Sequence, residues 1–230
     1  MKLRRSRRWF ELFLAGALVL VAVAARAAGP LFVGGPGFVE GLPFRFDPAS
    51  FPLTYWTDQG NLGNQSNTQA DDLVEQAFNV WENVPTATIS FSAAGELGAD
   101  VSTGNEYLAV ENSLNDCSTL PGPPAGGVAQ NRSLIYDLNG SILEDLGIDQ
   151  NSILGFASPA CLASDGVNNF YYRGLALLNG RFIDGVDTVN NPEISLEEFR
   201  AVFIHEFGHM IGLDHTQICL LYTSPSPRDR

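Results

Sequence analysis

The chemistry in this chain is concentrated in one string, His205-Glu206-Phe207-Gly208-His209-Met210-Ile211-Gly212-Leu213-Asp214-His215, of the form H-E-x-x-H-x-x-G-x-x-H. On a helix, His205 and His209 lie on one face, one turn apart. Two neutral imidazoles at that spacing can share a metal ion, and zinc suits them best. Glu206 sits beside that face, close enough to reach a water on the metal. Gly212 lets the chain turn sharply, so His215 can return as a third ligand. Three protein ligands leave a fourth position open, which separates a catalytic zinc from a closed structural one. All three histidines of the 230-residue chain fall within this string.

The element that must carry these residues is a helix expected over Ser195–Gly212. Ser195 and Glu198 form a capping box, and Leu196, Phe199, Val202, Phe203 and Met210 recur at helical spacing. Gly212 is the residue that adopts the terminating left-handed conformation at least cost. Upstream, Gly- and Pro-rich residues 29–50 read as an extended leader and Phe51–Thr57 as a strand. A helix is expected over Thr68–Asn83. Asn67 or Thr68 caps it, Asp71 and Asp72 suit its positive end, and Leu73, Ala77, Val80, Trp81 and Val84 share a face. Pro85 ends it, and Thr86–Phe91 follows as a strand. Residues 95–130 are loop-rich, with a short strand at Tyr107–Val110. Ser133–Tyr136 and Ile153–Phe156 read as strands. Phe170–Leu178 and Arg181–Ile183 read as a hairpin turning at Asn179-Gly180.

Hydrophobic residues make up 45% and charged ones 17%, a balance that suits a globular domain and excludes a disordered or collagen-like chain. The net charge is −13, and six of the 13 basic residues lie in the first 27 positions. The remainder, with 7 bases, 25 acids and no lysine, is near −18. That argues against nucleic acid and against an anionic membrane surface as partners. Residues 1–27 read as a signal peptide: a basic stretch, an apolar run Leu12–Ala25, and Ala25-Arg26-Ala27 at the cleavage position. Arg7-Arg8 leaves ordinary and twin-arginine export both open. The expected location is secreted, periplasmic or extracellular. In an exported protein Cys117 and Cys161 read first as a disulfide, with two buried thiols as the alternative. Asp137-Leu138-Asn139-Gly140 and Asp184-Gly185-Val186-Asp187 resemble oxygen-rich calcium turns, and ordinary Asx turns explain them as well. Tyr171-Tyr172 and Gly174–Leu178 could line a cleft or fill the core. The tail, residues 219–230, is similar to a translated sequencing adaptor, and a Pro/Ser-rich linker is the alternative; on the first reading the natural sequence stops near Ile218.

The wording HEFGHMIGLDH resembles the metzincin metalloproteases, most of all their matrixin branch. The helix around Ala77-Phe78 and Trp81, with the strand after it, is similar to the start of a matrixin-like catalytic domain. The resemblance implies a zincin-like α+β fold: a twisted, mostly parallel mixed sheet, an edge strand above the cleft, and an active-site helix bearing His205 and His209. The domains would be a signal peptide (1–27), a leader (28–50), a matrixin-like metalloprotease domain (51–218) and a non-native tail (219–230). It implies a secreted, monomeric zinc endopeptidase acting on protein or peptide substrates. Zinc would be held by His205, His209 and His215, and Glu206 would serve as the base that takes a proton from zinc-activated water. Asp214 is given a structural or outer-shell role. Two features depart from the family. Met1 and Met210 are the only methionines, so the methionine turn expected after His215 is absent. With it goes the lower subdomain, which could leave this chain a poor zinc holder and inactive. No cysteine precedes Cys117, so a cysteine switch is not expected. A binding or adhesive module without turnover is the alternative, and a zinc hydrolase of non-peptide bonds stays open.

Overall fold

Ser66 rather than Asn67 or Thr68 opens the first helix, α1 (Asn67–Glu82), by a capping box with Gln69. Its buried side chains Ala70, Leu73, Val74, Ala77, Phe78 and Trp81 follow helical spacing, as expected of a helix that meets a sheet along one stripe. The computed structural model describes residues 30–118, 131–189 and 192–215. The signal segment 1–27 and the tail 219–230 lie outside the described residues. The remaining elements are β1 (Phe44–Phe46), β2 (Leu53–Thr57), β3 (Phe91–Glu96), α2 (Glu106–Leu114), β4 (Arg132–Asp137), α3 (Ser141–Asp145), β5 (Gly155–Ser164), β6 (Asn169–Asn179) and α4 (Leu196–Met210). The fold is α+β with a mostly parallel sheet. The path β1-β6-β4-β2-β3 is parallel throughout, and β5 joins β6 antiparallel.

Period-two alternation in β4 and β6 divides the core. Leu134, Tyr136, Ala176 and Leu178 face α1 and α4, where Phe78, Phe199, Phe203 and Phe207 also pack. Ile135, Leu175 and Leu177 face the other way, with Ala109 of α2 and Ile142 and Leu143 of α3. Strands covered on both faces read as continuous apolar runs, as Leu175–Leu178 does. Both Gly174–Leu178 and Tyr171 are core residues.

Several expected elements differ, and the strand expected at Ile153–Phe156 starts at Gly155 and runs to Ser164. Tyr107–Val110 lies in helix α2, not in a strand. Its contiguous apolar residues have no period, whereas Ala109 and Ser113, four apart, are the ones buried. The strand expected at Thr86–Phe91 begins at Phe91 instead: a turn after Pro85 bonds Ala87 N–H to the Val84 carbonyl, and the first sheet bond runs from Leu53 N–H to the Ser90 carbonyl. The hairpin is β5–β6, not Phe170–Leu178 with Arg181–Ile183. Its turn is Asp165–Asn168, where Asp165 accepts from Val167 and Asn168 N–H. Asn179-Gly180 instead opens a 3-10 turn at Gly180–Ile183, with the Asn179 side chain bonded to Arg181 N–H and to the Gln150 and Ile153 carbonyls. The leader is not a separate segment: β1 pairs with β6, and Pro30 bridges to Leu213. A disulfide joins Cys117 to Cys161 and ties the end of α2 to β5. Among the described residues no helix is long and apolar enough to cross a membrane.

Candidate metal centre

Helix α4 is fixed at both ends and along one side. The Ser195 hydroxyl accepts from Glu198 N–H, and the Glu198 carboxylate accepts from Ser195 N–H, the capping box read from the sequence. Glu197 and Glu198 lie in the first turn, where the helix dipole favours negative charge. Phe199, Phe203 and Phe207 form a ladder of edge-on rings at 5.5 and 5.9 Å, and Phe207 stacks on Phe78 of α1 at 4.2 Å. The Trp81 indole N–H donates to the Ile204 carbonyl at 3.0 Å. With that stripe held in the core, residues two positions further on are carried about 200° round the helix. Those residues are His205 and His209.

The helix ends in a Schellman motif. Gly212 N–H bonds the His209 carbonyl, Leu213 N–H bonds the Gly208 carbonyl, and Gly212 has φ +97°. This turn does two things. It delivers the Leu213 carbonyl to His209 Nδ1 at 2.8 Å, and it brings His215 back against His209, ring centroids 4.4 Å apart. A carbonyl only accepts, so Nδ1 of His209 carries the proton and Nε2 is left as a lone-pair donor. Nε2 of His209 faces Nε2 of His205 at 3.1 Å. Burial pushes the His209 pKa below its ordinary value; the Leu213 carbonyl pulls it up and His215 pushes it further down. The neutral imidazole, the form that ligates metal, is favoured.

One ligand atom from each of His205, His209 and His215 lies within 4.8 Å of the others, so the three could hold a metal ion. Among the described residues no other His, Cys, Asp or Glu group of three or more is so arranged. Asp214 accepts from His215 N–H at 2.7 Å, and its carboxylate oxygen stands 3.7 Å from His215 Nδ1.

Glu206 is buried. A Cβ on Gly155, at the start of β5, would stand 3.3 Å from Glu206 Cγ and 2.7 Å from the Leu177 carbonyl oxygen. Gly155 therefore makes the room that Glu206 occupies beside the edge strand. Sequence reasoning named Glu206 but missed Gly155, and nothing local marks a glycine whose side-chain space belongs to a residue 51 positions away. It also missed the Leu213 carbonyl, since a backbone group has no residue type to read.

In the two calcium-like turns the carboxylates meet backbone N–H groups. Asp137 accepts from Gly140 N–H at 2.9 Å and from Leu143 N–H at 3.0 Å, and burial raises its pKa. Asp184 accepts from Val186 N–H, and Asp187 from Glu193 N–H. A hollow of about 160 Å³ lined by Gly60, Asp100, Tyr136 and Ser141 shares no residue with the histidine cluster. Comparison of the chain with protein-family models, with curated proteins and with solved structures finds no match.

Proposed function

We propose that His205, His209 and His215 hold zinc and that the site hydrolyses peptide bonds, in the manner of a matrixin-like metzincin. The observation that carries this reading is the pair of Nε2 atoms at 3.1 Å, with His215 packed against them. Tetrahedral zinc with Zn–N distances of about 2.0–2.1 Å needs ligand nitrogens about 3.3 Å apart. The pair already meets that spacing, and His215, exposed on a short loop, closes the set by side-chain rotation. The donors are neutral imidazoles, a set that suits zinc. A zinc ion held there supplies a Lewis acid for the scissile carbonyl and lowers the pKa of water toward 7.

The chain's own groups do the rest. Glu206 follows the first ligand directly and is held between the helix and β5, with little freedom to turn away. Its carboxylate takes the proton of the attacking water and returns it to the leaving amine. Among the described residues β5 pairs with no strand but β6, and an extended peptide added on its other side as a further strand is the substrate pose the reading calls for. The Cys117–Cys161 disulfide supports an exported, oxidising setting.

The test uses the purified chain with zinc, casein and a quenched fluorogenic peptide. Cleavage that a chelator abolishes would support the reading, however far the missing methionine turn slows it. Glu206→Gln keeps its zinc, measured by atomic absorption, and loses about 10²- to 10⁴-fold in turnover. A zinc-loaded chain that cleaves nothing would leave the binding-module reading in its place.

A further inference from the structure

We propose that the segment Pro30–Phe32 is a positioning strap for the third metal ligand. It lies some 180 residues from the histidines in sequence, yet it pairs with two of the four residues that lead from the end of α4 to His215. Leu31 N–H donates to the Gly212 carbonyl at 2.8 Å, and Pro30 forms an antiparallel bridge with Leu213. On its other side the strap is tied down. Phe44 N–H donates to the Phe32 carbonyl at 3.1 Å, so β1 holds it, and β1 is itself paired with β6. The Phe32 ring meets Tyr171 edge-on at 6.2 Å. Tyr171 in turn abuts the loop: a Cβ on Gly212 would lie 2.7 Å from its ring.

The loop from Gly212 to His215 is therefore clamped between a core aromatic and the strap. The strap fixes the Gly212 carbonyl, and the helix end fixes the N–H groups of Gly212 and Leu213 and, through His209 Nδ1, the Leu213 carbonyl. His215 itself is exposed, and its ring contacts are with the two imidazoles it would join, at centroid distances of 5.6 Å to His205 and 4.4 Å to His209. Where its imidazole stands follows from where Gly212 and Leu213 stand. A ligand on a free loop carries an ordering cost at each binding event, and a clamped loop has already met it in folding. The strap thus acts on metal affinity through His215, as outer-shell groups act through the ligand they orient.

The proposal rests on the metal reading of the three histidines and not on peptide-bond hydrolysis. Its test is a double-mutant cycle read by zinc affinity, from competition with a chromophoric chelator. Leu31→Pro removes the one N–H that the strap gives the loop and keeps the backbone extended. In the full chain it is expected to weaken zinc binding about 10- to 100-fold. In a His215→Ala background, where the ligand it serves is gone, the same change is expected to cost less than about 2-fold. Phe32→Ala, which loosens the strap on Tyr171 and leaves the N–H in place, carries the same test at smaller amplitude if Leu31→Pro does not fold. Equal losses in both backgrounds, or none in the full chain, would overturn the proposal. A wild-type chain that binds no zinc would sink the metal reading along with it. Absence of proteolysis bears on the hydrolase reading alone, because every measurement here is of zinc.

Discussion

Two sets of polar side chains can be set against each other. At the C-terminal ends of the parallel strands stand Asp58, Asp137 and Asn179, all fully buried. Each turns its polar atoms on the backbone. Asp58 accepts from the N–H groups of Gln59, Val101 and Tyr136. Asp137 accepts from Gly140 and Leu143, and Asn179 bonds Arg181 N–H and two carbonyls. At the end of α4 stand His205, His209 and His215, whose nitrogens turn toward one another. The first set ties loops to strands. The second converges on a point that no backbone group supplies. Burial and polarity alone do not separate a site from a staple; the direction of the donor and acceptor atoms does.

Asp137→Ala probes the first set at its strongest point. It strips partners from two well-formed buried N–H donors and takes away the group that anchors α3. A buried donor left without a partner costs about 1–3 kcal/mol, so a loss of about 2–6 kcal/mol is expected in urea unfolding. Zinc affinity of the folded fraction should not change. A variant that keeps its stability but binds zinc more weakly would erase the distinction between the two sets.

The same distinction governs what the sequence could convey. Helix α4 was legible because its signals are local: Ser195 with Glu198, the HExxH spacing, and a glycine at φ +97° to stop it. The convergence of the three histidines followed from those signals and from the Schellman turn they permit. The β5–β6 hairpin was not legible, because Asn179-Gly180 and Asp165-Gly166 give similar local turn signals and only strand pairing chooses between them. Pro159 inside β5 also speaks against a strand, and it is tolerated because β5, among the described residues, pairs on one side alone. Pairing across long sequence separations left no trace either: the strap on Gly212 and the space Gly155 leaves for Glu206 exist only in the fold.

Asp58 gives the next largest effect. Burial pushes its carboxyl up to about 7, against the pull of its three N–H partners and with Asp100 adding to the rise. In the unfolded chain it titrates near 3.9. The folded state binds this proton more tightly, so the group's contribution to stability is complete below about pH 4 and is lost as pH rises through about 7. The loss amounts to no more than about 4 kcal/mol. Asp58→Asn removes the titration. With zinc chelated, the stability of the wild type relative to this variant should fall between pH 4.5 and pH 8. A constant difference would mean the carboxylate is ionised throughout, held by its N–H bonds alone.

His205→Ala should change the apo protein least and the metal-bound protein most. His205 is half-buried on a helix whose other side carries the core contacts, and alanine is the better helix former by up to about 0.7 kcal/mol. The small packing loss and the propensity gain offset each other. Apo stability should stay within about 0.5 kcal/mol, a melting shift of about 1–2 °C in a chain of this size. Losing a ligand outright should weaken zinc binding by more than about 100-fold, beyond the 10- to 100-fold usual for an outer-shell partner. Read beside Asp137→Ala, the two variants should move stability and zinc affinity in opposite proportion. If His205→Ala unfolded the apo chain as Asp137→Ala is expected to, the imidazoles would be staples too, and the nitrogens 3.1 Å apart would be a packing contact instead of a place for an ion.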